Sequence, residues 1–249
     1  MTDIHTHILP GVDDGAEVFE QSLKMLAQAY EDGTDAVVLT PHGNIPGTFV
    51  NYWSNELEER FLALKAEAQK YFPLRIYKGM EVFATNDLGQ LIDQKKVITL
   101  NDSQYMLVEF NFEEDPAWIG KILGEIKSRG LVPIIAHPER YLLIQACPPI
   151  LYDWICDGAL SQVNKDSILG KFGGECSRTA RVILGHNLAQ FVASDAHTHI
   201  SRTAKMRDAY NLVGEFFSYD YAQLLFNENP LRVVSNKPVF VPEPLCPPM

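Results

Sequence analysis

Short apolar runs rich in β-branched residues alternate with longer stretches of helical periodicity along this chain of 249 residues. Alternation of this kind predicts α/β architecture, with strand–helix units around a parallel sheet. The expected strands cover residues 1–5, 35–40, 74–81, 105–110, 131–137, 160–164 and 190–195. The helical stripes lie at residues 19–30, 57–71, 118–126, 150–155, 180–184 and 209–217. Seven strands separated by helices therefore set the framework.

No linker rich in serine and glycine divides the chain, and no repeat period stands out. We therefore expect one domain over residues 1–241. Residues 242–249 contain four prolines and predict an extended C-terminal tail.

The net charge of −11 and the absence of a lysine- and arginine-rich cluster argue against nucleic acid and anionic membrane as partners. The chain has no apolar stretch of about 18 residues and no signal-peptide pattern at its start. We expect a cytoplasmic protein without direct membrane insertion. The four cysteines match neither a CxxC metal motif nor a compact disulfide framework, so they are expected to be reduced thiols.

Polar residues follow the predicted strands at the points where the strands end. Parallel strand–helix folds gather their chemistry at the carboxyl ends of the strands. We therefore expect five histidines and four carboxylates to share one edge of the fold: His5, His7, Asp14, His42, Glu81, Glu109, His137, Asp195 and His197.

Four carboxylates packed together without cations would raise one another's pKa values and destabilise the fold. The arrangement therefore predicts a metal site. Imidazole and carboxylate ligands without thiolate suit Mn, Fe or Zn better than Ca or a structural zinc finger. Any one of these residues alone is a weak signal, because a single histidine or glutamate more often serves as a core residue, a helix cap or an ion-pair partner.

The motifs THTHILPGVDDG, TPH, GMEV, VEF, AHPERY and ASDAH occur in this order. Together they resemble the polymerase and histidinol phosphatase (PHP) superfamily. Within it, the chain is similar to the manganese-dependent bacterial tyrosine-protein phosphatases of capsular and exopolysaccharide biosynthesis. The resemblance covers residues from about 1 to 235. The segment GNIPG after TPH and the segment THIS after SDAH depart from the expected pattern, although neither removes a proposed ligand.

The resemblance implies a distorted (β/α)7 barrel with three divalent metal ions at the carboxyl ends of its strands. Manganese is the implied metal, with iron or zinc as alternatives. One ion would be held by His5, His7, Glu81 and Asp195. A second would be held by Asp14, His42 and His197, and a third by Glu81, Glu109 and His137. Glu81 would then bridge two ions, with Glu109 as the alternative bridge.

Three divalent ions against four carboxylates leave a surplus of about two positive charges, which suits a phosphate dianion. A hydroxide that bridges two ions would attack phosphorus in line. Guanidinium groups bind the equatorial oxygens, and Arg140 and Arg202 are the candidates. Arg207 is expected to be a solvated surface cation. His186 is expected to bind the last carbonyls of a helix, and His199 is expected to lie in a loop.

The function expected is hydrolysis of phosphotyrosine on a protein, with a tyrosine kinase of polysaccharide assembly as the implied partner. The aromatic residues Phe49, Tyr52, Phe83, Phe112 and Tyr141 are candidates to flank an aryl phosphate. A small-molecule phosphatase acting on histidinol phosphate is the main alternative. A metal-binding regulatory domain and a phosphodiesterase acting on DNA are weaker ones. An amidohydrolase would need a bridging lysine, which this edge is not expected to offer.

Other phosphatase chemistries are excluded by the sequence itself. No cysteine has an arginine six positions later, as the CxxxxxR loop of cysteine-dependent tyrosine phosphatases requires. GxxxxGK[ST], GxSxG and a GxGxxG after the first strand are also absent.

Overall fold

Parallel strands joined by helices build the protein, as the computed structural model of residues 1–248 shows. The strands are β1 (Thr2–Asp3), β2 (Ala36–Leu39), β3 (His42–Gly43), β4 (Arg75–Lys78), β5 (Glu81–Phe83), β6 (Tyr105–Glu109), β7 (Val132–Ala136), β8 (Leu160–Asn164) and β9 (Phe191–Ala193). All pairings between them are parallel, which confirms the expected fold class. Each of the seven predicted strands contains an observed strand.

The helices lie where the apolar stripes predicted them, and shorter helices fill several connections. They are α1 (Phe19–Glu31), α2 (Asn55–Ala68), α3 (Leu88–Asp93), α4 (Pro116–Ser128), α5 (Leu142–Ala146), α6 (Pro149–Cys156), α7 (Lys165–Ile168), α8 (Gly174–Gly185), α9 (Arg207–Phe216), α10 (Tyr219–Gln223) and α11 (Asn229–Val234). Short 3-10 turns cover Leu100–Asp102 and Pro138–Arg140, and a π-helical turn covers Leu224–Glu228. Of the described residues, those after α11 form no further helix or strand.

The strands form two sheets, with the order β1-β2-β4 in one and β3-β5-β6-β7-β8-β9 in the other. A parallel bridge between Thr6 and Ala196 links the continuation of β1 to the residues after β9. There the backbone N–H of Asp195 donates to the carbonyl of His5 at 2.9 Å. This link brings the first and last strands together. Closure into one seven-stranded barrel remains a prediction.

The expectation of one strand over residues 74–81 is wrong, because the chain there forms β4 and β5 in different sheets. The break falls at Gly79, where a Cβ would lie 2.8 Å from a methyl group of Val38 and 2.9 Å from one of Leu100. Such close packing leaves no room for a side chain at this position. Glu81 is therefore the first residue of a strand instead of the last.

Burial explains why these segments form a core. β2 is AVVL and fully buried, and β7 is VPIIA with its last four residues buried. Strands covered on both faces are expected to read as continuous apolar runs. α2 begins at the Ser54 cap and α4 at the Asp115 cap, whose side chains accept backbone N–H groups of the first turn. Within residues 1–248, no helix combines the length and the apolar content that a bilayer crossing requires.

Candidate metal centre

The predicted ligands come together at one edge of the strands. His5 and His7 follow β1, His42 begins β3, Glu81 begins β5 and Glu109 ends β6. Directly after β7 comes His137, while the segment after β9 carries Asp195 and His197, and Asp14 lies in the loop before α1. Eight of these nine side chains are buried or nearly so, and Asp14 is the exposed one.

Four overlapping groups of donor atoms arise, and the atoms within each group lie within 4.8 Å of one another. All nine predicted ligands belong to at least one group: His7, Asp14, His42 and His197; His5, His7 and Glu81; His5, His137 and Asp195; His42, Glu81 and Glu109. The grouping differs in part from the implied ligand sets, because Asp195 lies with His137 and Glu109 lies with His42. Glu81 belongs to two groups and Glu109 to one.

The ring nitrogens of His5 and His7 test whether a cation fits. His5 Nδ1 is 2.7 Å from the side-chain oxygen of Gln162, and His7 Nδ1 is 2.8 Å from a carboxylate oxygen of Asp13. Because both partners accept, each neutral ring carries its proton on Nδ1 and leaves a lone pair on Nε2. The two Nε2 atoms nevertheless lie 3.2 Å apart. Two facing lone pairs repel, whereas a bound cation satisfies both.

The contact between His42 and Glu81 also indicates that a cation fits. His42 Nδ1 lies 2.9 Å from Glu81 Oε2. Among the described residues, however, neither atom has a hydrogen-bond partner. The contact therefore lacks hydrogen-bond geometry, and a proton shared between the two atoms does not satisfy them. A cation bound by both does. The donor set of imidazole and carboxylate without thiolate fits Mn²⁺, Fe²⁺ or Zn²⁺.

Burial and crowding shift the pKa values of these groups in opposite directions. Burial, with the carboxylate of Glu81 nearby, raises the pKa of Glu109 to about 8. Burial lowers the pKa of His137 to about 4. Burial also opposes protonation of His5, but the carboxylates of Glu81 and Asp195 outweigh it and raise its pKa. A cation bound beside Glu109 would lower the pKa of its carboxyl group and keep it ionised.

The backbone is strained where it delivers some of these groups. His137 has φ of 35° and Asp195 has φ of 50°, and neither residue is glycine. Left-handed backbone is unfavourable for such residues and is concentrated at functional sites. The loop that carries Asp14 depends on Gly15, where a Cβ would lie 2.0 Å from the carbonyl oxygen of His7. Only glycine lets this loop pack against the His7 backbone.

Both predicted arginines reach this pocket. Arg202 Nη2 lies 2.6 Å from Asp195 Oδ2, and Arg140 Nη1 lies 3.6 Å from the same oxygen. Phe172 stacks near both guanidinium groups, at 5.1 Å from Arg140 and 5.7 Å from Arg202, and Phe112 lies 4.7 Å from Arg140. Such contacts with aromatic rings hold the guanidinium planes.

Asp13 and Phe172 matter for the pocket and were not chosen from the sequence. Asp13 Oδ2 holds His7 Nδ1 and also accepts the backbone N–H of His42 at 2.8 Å. Its place beside Asp14 in the DDG segment was the available signal. Phe172 had no such signal, because its contact with the arginines depends on a loop from another part of the chain.

Several smaller expectations are settled by the geometry. Tyr141 packs against the pocket from behind, with its ring centroid 6.1 Å from that of His137, but it is fully buried and its hydroxyl accepts the backbone N–H of Phe110. His186 Nδ1 binds the carbonyl of Val182 at the end of α8, as expected. His199 lies in a loop, and Arg207 is exposed on α9.

One buried lysine does follow a strand of this fold. Lys165 follows β8 directly and its side chain is fully buried. Its Nζ lies 2.7 Å from Asp166 Oδ1, so its ion pair is with this neighbouring carboxylate and, within the described residues, with none of the nine donors.

Comparison with known proteins agrees with the geometry. Residues 1–235 match the family described as capsular polysaccharide synthesis, CpsB/CapC. The chain belongs to the CpsB/CapC family. Tyrosine-protein phosphatase YwqE of Bacillus subtilis is 31% identical over 240 residues, which cover 96% of this chain and 94% of YwqE. Tyrosine-protein phosphatase CpsB of Streptococcus pneumoniae is 32% identical over 243 residues, which cover 95% of this chain and 99% of CpsB.

Solved structures place this CpsB/CapC chain among the same proteins. One structure comes from work on YwqE of B. subtilis and CpsB of S. pneumoniae, described there as unique metal-dependent tyrosine phosphatases. It matches with a TM-score of 0.93 and 30% identity over the full length of both chains. Histidinol phosphate phosphatase of Lactococcus lactis shares the fold at a TM-score of 0.56 and 12% identity, covering 90% of this chain and 95% of that one.

Proposed function

We propose that this chain is a metal-dependent protein-tyrosine phosphatase. The convergence of nine nitrogen and oxygen donors in one buried pocket carries the proposal. Membership of the CpsB/CapC family and the names of YwqE and CpsB support it.

In this proposal the nine side chains hold three divalent ions, with Mn²⁺ preferred and Fe or Zn as alternatives. Bound divalent ions supply positive charge for a phosphate dianion and acidify water for in-line attack on phosphorus. Glu81 is the proposed bridge, because it lies in two of the donor groups and is fully buried. Asp13 and Gln162 hold the Nδ1 protons of His7 and His5, so that both Nε2 atoms stay available.

The two arginines bind the phosphate. Arg140 and Arg202 stand beside Asp195 Oδ2, and Arg202 Nε has no hydrogen-bond partner in the described part of the chain. A guanidinium group offers a planar fork to the oxygens that gain charge during phosphoryl transfer. Phe112 and Phe172 keep the two forks in place.

An open cavity of about 360 Å³ beside Glu109 favours an aryl leaving group. Its lining includes Phe83, Phe110 and Phe112, and Glu109 belongs to both the cavity and the donor groups. A phenyl ring attached to a phosphate in the pocket would meet these aromatic side chains. The cavity therefore supports phosphotyrosine over histidinol phosphate as the substrate.

A direct assay tests this proposal. With Mn²⁺ present, the protein should hydrolyse a phosphotyrosine peptide faster than histidinol phosphate, and a chelator should remove both activities. Phe112→Leu should reduce hydrolysis of the aryl substrate more than that of the alkyl one, while Phe216→Leu, an exposed position on α9, serves as the control. Full activity in chelator, or preference for histidinol phosphate, would refute the proposal.

The biological partner is part of the same proposal. A tyrosine-phosphorylated kinase of polysaccharide assembly is the proposed substrate, because the matching family is one of capsular polysaccharide synthesis. The proposed location is the cytoplasm, where such a kinase would present its phosphotyrosines.

A further inference from the structure

Strand β8 differs from its neighbours at the edge that carries the pocket. β7 leads into His137 and the segment after β9 carries Asp195, whereas no residue of β8 belongs to the four donor groups found within residues 1–248. β8 instead presents Gln162 and Asn164, which are two residues apart and therefore point to the same face. Both amides are fully buried.

These amides connect two candidate ligands through three hydrogen bonds. Asn164 Nδ2 donates to Asp195 Oδ2 at 2.6 Å. Gln162 Nε2 donates to Asn164 Oδ1 at 2.8 Å. Gln162 Oε1 lies 2.7 Å from His5 Nδ1. The three hydrogen bonds thus connect the carboxylate of Asp195 to the imidazole of His5 without a gap.

The charge of Asp195 fixes the donor and acceptor roles in all three hydrogen bonds. Asp195 Oδ2 also receives Arg202 Nη2, so the carboxylate is ionised and can only accept. Asn164 must therefore turn its NH₂ toward Asp195 and its oxygen toward Gln162. Gln162 must then give its NH₂ to Asn164 and its oxygen to His5. His5 must place its proton on Nδ1, which leaves the Nε2 lone pair facing the pocket.

We propose that Gln162 and Asn164 are positioning residues that transmit the charge of Asp195 to His5 and select the ring tautomer able to bind a metal. This inference rests on the proposed function, in that His5 and Asp195 are taken as ligands. Asp195 then has two roles. Its Oδ1 faces the pocket as a ligand atom, and its Oδ2 fixes the tautomer of His5 through the two amides. Positioning of this kind by groups around the ligands is a known source of metal affinity.

The first test measures Mn²⁺ affinity by calorimetry on the full chain. Gln162→Met removes the acceptor for His5 and should weaken binding roughly 10- to 100-fold. Gln190→Met is the matched control, because Gln190 is an equally buried glutamine that accepts the backbone N–H of Ser161 outside the pocket. The control should bind Mn²⁺ as the unchanged protein does. Equal affinities in the two variants would overturn the inference.

The second test reads the tautomer of His5 directly, by ¹⁵N NMR of histidine-labelled, metal-free protein at an alkaline pH where the ring is neutral. The unchanged protein should show His5 with the proton on Nδ1. Asn164→Ser should populate the Nε2–H form, although Asn164 does not touch His5, because Gln162 becomes free to turn. Gln162→Glu keeps an oxygen toward His5 and should retain the Nδ1–H form.

We call the path from Asp195 through Asn164 and Gln162 to His5 the relay. A His5 ring that keeps its Nδ1 proton in Asn164→Ser would refute the relay, as would an Nε2 proton in the unchanged protein. Neither measurement uses a phosphorylated substrate. Failure to hydrolyse phosphotyrosine would therefore count against the proposed function alone, while an unchanged tautomer in Asn164→Ser would count against the relay alone.

Discussion

Replacing the buried acid Glu139 by glutamine should stabilise the protein at alkaline pH. Glu139 is fully buried behind the pocket, and its Oε1 accepts the backbone N–H of Asn164 at 3.0 Å and the hydroxyl of Ser167 at 2.7 Å. Within the described residues, its Oε2 has no partner. Glutamine keeps the Oε1 acceptor and removes the ionisable group. Glu139→Gln therefore isolates the cost of burying a charge.

The size of this cost follows from the pKa. Burial raises the pKa of Glu139 from its ordinary value of 4.5 to about 7. Between these values the folded protein holds a proton that the unfolded chain releases, so stability falls as pH rises from 4.5 and the full cost is present above 7. At 1.36 kcal/mol for each pKa unit, the cost is about 3 kcal/mol. Glu139→Gln should recover that amount at pH 8.5 and less than about 1 kcal/mol at pH 5.

Thermal unfolding of the metal-free protein at the two pH values measures the difference. About 3 kcal/mol corresponds to an increase of roughly 6 to 12 °C in the melting temperature of a chain of this size at pH 8.5. Ser167→Ala is the control, because it removes one hydrogen bond to Glu139 and should destabilise the protein. A Glu139→Gln variant that is no more stable than the unchanged protein at pH 8.5, or equally stabilised at pH 5, would refute this reasoning.

Three further predictions concern the pocket. Asp13→Ala should weaken Mn²⁺ binding roughly 10- to 100-fold by releasing His7, while Asp13→Asn keeps an oxygen at that position and should lose less affinity. Calorimetry compares the two variants, and equal affinities would contradict the role of Asp13. Arg140→Ala should lower kcat/KM for a phosphotyrosine peptide roughly 10²- to 10³-fold while leaving Mn²⁺ affinity unchanged, and unaltered kinetics would remove Arg140 from phosphate binding. Mn²⁺ at 100 times its Kd should stabilise the fold by about 2.7 kcal/mol, and a melting temperature indifferent to Mn²⁺ would argue against a resident metal.

Most strand positions and most of the pocket residues were predictable from the sequence for one physical reason. Buried parallel strands are apolar throughout, so a polar residue at the end of such a run has to face the edge where the strands converge. His137 after VPIIA and Asp195 after FVA are examples. The family motifs then assigned roles to them that spacing alone could not.

What the sequence did not show depends on contacts between distant segments. The break falls at Gly79, which packs against Val38 and Leu100, and no local pattern reveals these contacts. Gln162 lies inside β8 and resembles an ordinary alternating polar residue until His5 is placed beside it. Phe172 has the same limitation, because its role depends on the two arginines that meet it. Residues that orient other residues are visible only in three dimensions.

Anomalous X-ray diffraction from crystals grown with Mn²⁺ tests the central claim most directly, because it locates manganese without assuming any activity. Strong anomalous peaks should lie among His5, His7, Glu81 and the other donors of the four groups, with Glu81 touching two of the ions. Crystals saturated with Mn²⁺ that show no anomalous density in this pocket would contradict the account.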